Sequence, residues 1–174
     1  MSEDAHTLIQ RGHAQRREDR ADDALQSFTE AVTVARRDGN DADLVNALKG
    51  LGQIERDLGR GERALPLYEE AVELCLAMED LPGLAHTLRH LGDIHLDAGS
   101  LSAAAEPYAQ ALALYRRLPT TPPLELANAL RPYALLREEL GESESARAMW
   151  REARALYAAA GIAEGVEECD RHLD

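Results

Sequence analysis

The stretch Leu84–Arg117, LAHTLRHLGDIHLDAGSLSAAAEPYAQALALYRR, decides the fold. Leu84, Leu88 and Leu91, with His95 beyond them, recur three and four residues apart and so form one stripe along an α-helix. Gly99 predicts the end of that helix, and Ser102 is placed to cap the next. In that second helix Ala104, Tyr108, Ala111, Leu112 and Tyr115 make another stripe. A hairpin of two amphipathic helices cannot bury both stripes alone, so the stretch requires stacked copies of itself.

The rest of the chain supplies them. Ala24, Ala64, Ala104 and Ala146 fall at spacings of 40, 40 and 42 residues, each followed four positions later by a large aromatic residue: Phe28, Tyr68, Tyr108 and Trp150. A second alanine follows three further on, at Ala31, Ala71, Ala111 and Ala153. Twelve positions before the first alanine stand Gly12, Gly52 and Gly92, with Ala134 in the fourth copy, and each is preceded by a leucine, Leu8, Leu48, Leu88 and Leu130. Gly59, Gly99 and Gly141 mark the turns, where the first copy has Asp19. A small residue where helices cross, a large one opposite and a glycine at the reversal form a consistent packing rule. The spacing predicts four helical hairpins over about 4–40, 41–80, 81–120 and 121–160, then a capping helix over about 162–173, all in one domain spanning 1–174. Arg11 interrupts the stripe where the other copies have Leu51, Leu91 and Tyr133, as end repeats often do. Pro132, deep in its helix, predicts a kink.

Composition narrows the function. Nineteen lysines and arginines against 32 acids give a net charge of −13, which opposes nonspecific binding to nucleic acid or to an anionic membrane. No run of about 18 apolar residues is present for a membrane span, and the N-terminus, MSEDAHTLIQRGHAQ, lacks the pattern of a signal peptide, so a cytoplasmic protein is expected. Cys75 and Cys169 have no framework spacing and read as buried free thiols. No phosphate loop, GxSxG, HExxH or strand-linked GxGxxG occurs, so neither an enzyme nor a bound cofactor is expected.

The Leu and Leu-Gly pair of the first helix and the small–aromatic–small stripe of the second resemble the tetratricopeptide repeat. The 40-residue period and the phrases LANAL and AEPYAQAL are similar to the long-helix repeats of kinesin light chains and related bacterial proteins. The resemblance implies an all-α, right-handed α-solenoid that binds a protein or peptide partner in a concave groove lined by the first helices.

With Leu84 at zero on a helical wheel, the opposite face carries His86, His90, Asp93 and Asp97, joined by Arg89. The matching residues are His6, Gln10, His13, Arg16 and Arg17 in the first copy and Asn46, Lys49, Gln53, Arg56 and Asp57 in the second. Asn128, Arg131, Leu135, Glu138 and Glu139 continue the face in the fourth. Its charge is +3 over the first two copies and −2 over the last two, so an acidic segment of a partner is expected to lie toward the first two. Protonation of His6, His13, His86 and His90 below about pH 6.5 would strengthen that binding. Gly50 and Gln53 stand where chaperone-tail-binding members of the family would want amides, so that ligand is not expected. Two alternatives are weighed: homo-oligomer formation through an end of the stack or an exposed Trp150/Tyr157 region, and a metal or small ligand on the His86, His90, Asp93, Asp97 ladder.

Overall fold

The computed structural model describes residues 3–174, and among these every regular element is an α-helix. The helices divide into two compact units, the first ending at Asp80 and the second running from Leu81 to Asp174. In the first, α1 (Ala5–Arg17) and α2 (Ala21–Asp38) form one hairpin, and α3 (Asp41–Asp57) and α4 (Gly61–Ala77) the next. Helix α3 packs against both α2 and α1. The second unit holds α5 (Leu81–Asp97) with α6 (Leu101–Arg117), and α7 (Pro123–Glu139) with α8 (Ser143–Ala159), α6 lying against α7. Helix α9 (Ala163–Leu173) packs on α8.

The repeated residues do what their sizes imply. The alanines Ala24, Ala64, Ala104 and Ala146 are fully buried, and so are Phe28 and Trp150, with Tyr68 and Tyr108 nearly so. The glycine before each aromatic is a close approach rather than a flexible point. A Cβ on Gly12 would fall 2.8 Å from the Phe28 ring, and one on Gly92 2.7 Å from Tyr108. Both cysteines are fully buried free thiols, as their spacing implied.

Hairpin reversals need a residue in the left-handed region, and Gly59, Gly99 and Gly141 take it with φ of 72°, 70° and 75°. Asp19, at the equivalent place, is held at φ 59°, and Glu79, in the turn after α4, at φ 55°. An L-residue pays for that conformation and glycine does not. Glu79→Gly is therefore expected to stabilise the chain by about 0.5–1 kcal/mol, read as a higher urea midpoint with an unchanged slope.

One local expectation is corrected. Helix α6 begins at Leu101 behind Ser100, which makes no side-chain cap bond, so Ser102 lies within the first turn and caps nothing. Pro132 is buried within α7, which spans Pro123–Glu139.

Candidate protein interaction surface

In the first unit, α1 and α3 lie side by side and present the polar face that the wheel defined. His6, Gln10, His13, Arg16, Arg17 and Asn46 are exposed, and Lys49, Gln53 and Arg56 are half-buried. Gln10 donates to His6 Nε2 at 2.8 Å, and His6 Nδ1 lies 3.7 Å from Asp43. Asp57 ties the two helices together: Arg16 Nε donates to one of its oxygens at 2.6 Å and Gln53 to the other at 2.8 Å. The ring of His13 packs edge-on against Phe28, with centroids 5.0 Å apart.

That packing desolvates His13 and pushes its pKa below the ordinary 6.5, and the fields of Arg16, Arg17 and Lys49 push it further the same way. Burial likewise lowers the pKa of Lys49, the only lysine in the chain, against the opposing pull of Cys75 and Asp80. For His13 the unfolded chain takes up the proton first, so this group's contribution to stability is present above pH 6.5 and is lost as the pH falls toward the lowered value.

The matching face of the second unit is organised differently. Arg89 donates to His90 Nε2 at 3.0 Å, leaving the Nδ1 proton of His90 to donate to Asp93 at 3.1 Å. The other oxygen of Asp93 accepts from the Tyr108 hydroxyl at 2.7 Å. Asp93 is only 6% exposed, so this carboxylate anchors the α6 aromatic residue rather than opening to solvent. His86 packs its ring edge-on to His90, 4.6 Å away, and Asp97 is exposed. Among the described residues no group of three or more His, Cys, Asp or Glu side chains is placed to hold a metal ion.

On α7 the polar residues engage the helices that follow. The Asn128 amide oxygen accepts from the Tyr157 hydroxyl at 2.9 Å, and Arg131 donates to Glu168 of α9 at 3.1 Å. Glu138 accepts from the Trp150 indole at 2.8 Å with one oxygen, while the other lies 3.0 Å from His172 Nδ1. The His172 ring stacks on Trp150 at 4.1 Å. Trp150 and Tyr157 are 0% and 3% exposed, so the exposed aromatic region expected of them is absent: α9 covers it.

Sequence reasoning did not identify the α9 partners Glu168, Asp170 and His172, nor Arg147 and Arg154 beneath them. No single register would have found the aromatic residues' partners: Tyr108 donates to Asp93, 15 positions before it, Trp150 to Glu138, 12 before it, and Tyr68 to the Lys49 carbonyl at 3.3 Å, while Phe28 lies against His13.

Among the described residues, no helix is long and apolar enough to cross a membrane. No curated protein matches the chain. Solved structures do. BtubC (BKLC) from P. vanneervenii superposes on 90% of the chain with a TM-score of 0.82 at 20% identity. Aspartyl phosphate phosphatase F from Bacillus subtilis superposes on 95% with a TM-score of 0.85 at 14% identity, and the apo form of RapI on 95% with 0.84 at 13%. At these identities the likeness is one of fold, an all-α helical-repeat solenoid. The chain spans 64%, 43% and 45% of the three proteins' own lengths. The tetratricopeptide repeat model matches residues 3–77 and 43–117, in register with the hairpins described above. The chain belongs to the tetratricopeptide repeat family.

Proposed function

We propose that the chain is a non-catalytic protein interaction scaffold, and that the α1–α3 face of its first unit receives an acidic segment of a partner. One observation carries the reading: Arg16, Arg17, Lys49 and Arg56 outnumber the carboxylates Asp43 and Asp57 on this face, on a chain of net charge −13. Such a chain repels an acidic partner over most of its surface. A local cationic face therefore selects both where the partner lands and how it is oriented. The pKa of His13, lowered first by burial, is lowered further by Arg16, Arg17 and Lys49, a cationic surrounding that supports the same reading.

A labelled oligoglutamate peptide tests this by fluorescence anisotropy. Binding is expected to weaken steeply with salt, and Arg17→Glu combined with Lys49→Gln is expected to reduce affinity about tenfold or more. Arg151→Glu combined with Arg117→Gln, on α8 and α6, changes net charge by the same amount elsewhere and is expected to have little effect; equal losses in the two proteins would reduce the effect to net charge and sink the proposal. Bound carboxylates favour the protonated form of His13, so binding takes up a proton. Affinity is thus expected to rise as the pH falls below 6.5, and His13→Gln is expected to flatten the profile.

A further inference from the structure

Helix α9 is attached unlike any other helix. Only Gly165 and Cys169 of it are buried, whereas every other helix buries four residues or more. Val166 and Leu173 pack half-buried against the α7–α8 core, and the rest of its hold is electrostatic. Arg131 pairs with Glu168, Arg154 with Asp170 through two hydrogen bonds, and His172 with Glu138, while Arg147 donates to the Leu173 carbonyl at 2.6 Å. The paired side chains are 26–47% exposed, a setting in which an ion pair contributes little and is screened by salt. Helix α9 therefore lies at the low end of the chain's local stabilities.

What it covers is shaped for a helix. The Tyr157 ring forms a floor so close that a Cβ on Gly165 would fall 2.6 Å from it. Trp150 offers a flat face, now taken by His172, and Arg131, Arg147 and Arg154 rim the site with positive charge. We propose that this α7–α8 face is a docking surface for an acidic amphipathic helix of a partner protein, with α9 as its resident and displaceable occupant. The chemistry of α9 specifies the ligand: a small residue over Tyr157, an apolar residue four positions later, carboxylates for Arg131 and Arg154, and a flat ring at the seventh position to stack on Trp150. The partner and α9 compete, so the apparent affinity is set by how often α9 lifts away.

The test uses the full chain and a labelled peptide of residues 161–174 as the probe. Gly165→Leu forces α9 off the Tyr157 ring, and Glu168→Ala with Asp170→Ala removes only exposed ion pairs, so the second protein decides the matter if the first loses helix by circular dichroism. The peptide is expected to bind either protein about tenfold or more tighter than the native chain. Salt and an added Arg154→Ala are expected to weaken that binding. Emission from Trp150, the only tryptophan, is expected to change when α9 lifts and to return when the peptide docks. Equal binding to native and altered chains, or equal binding of the reversed-sequence peptide, would overturn the proposal. So would a concentration-dependent dimer of the native chain by light scattering, which would assign the face to α9 of a second copy.

Discussion

Trp150→Ala is expected to cost about 3–5 kcal/mol in unfolding free energy, the range for deleting a large buried aromatic side chain. Trp150 is fully buried, and three kinds of contact meet on it. Its ring lies among the apolar residues of the α7–α8 core, its indole N–H donates to Glu138, and its outer face stacks on His172. Alanine leaves a cavity, an unanswered Glu138 oxygen and an unstacked His172, so the loss spreads from α8 to α7 and α9. Trp150→Phe separates these effects. It keeps most of the apolar volume but removes the donor, and is expected to cost about 1–2 kcal/mol. Urea unfolding followed by circular dichroism measures both, and a cost for alanine no greater than that for phenylalanine would contradict this account of the core.

Gly50→Ala is the second large effect, with a sign opposite to the usual rule. In an open helix the substitution stabilises by about 1 kcal/mol. At Gly50 the added Cβ would fall 2.2 Å from Phe28 Cε1 and 2.5 Å from Cδ1, well inside van der Waals contact. The ring has little room to retreat: Phe28 is fully buried, Gly12 of α1 is against its far edge, and His13 is packed beside it. A net loss of about 2 kcal/mol or more is expected, since overpacking a closed core forces backbone shifts. Phe28→Leu in the same chain relieves the crowding, so the double variant is expected to be more stable than the sum of the single losses predicts. Additive losses would show that the ring moves freely.

Gly50 also shows where sequence reading stops. Its neighbour Gly52 belongs to the repeat of Gly12 and Gly92, and the periodic pattern explains it. Gly50 is outside that pattern and stood only as a gap in a polar face; its role appears once α3 packs against α2 and brings Phe28 to it. The same limit governs the candidate site. A helical wheel assigns Asp93 to the polar face with Asp97, yet Asp93 is buried under Tyr108 and Asp97 is open to solvent. Angle about a helix axis is local information, whereas the reach of a tyrosine hydroxyl from the next helix is not.

The sequence by itself determined the helices, their pairing into hairpins and the family. These follow from residue size and spacing along the chain, and the same small, large and turn residues return every 40 positions or so. It also carried the cationic character of the α1–α3 face, because charge is counted without coordinates. Only the tertiary structure decided which polar residues are already engaged: Asp93 with Tyr108, Asn128 with Tyr157, Arg131 and Glu138 with α9. It also decided that Trp150 and Tyr157 are covered by α9. The physical reason is that burial and hydrogen bonding between helices depend on distances of a few ångströms, which a repeat pattern constrains for its small and aromatic residues but not for the polar ones between them.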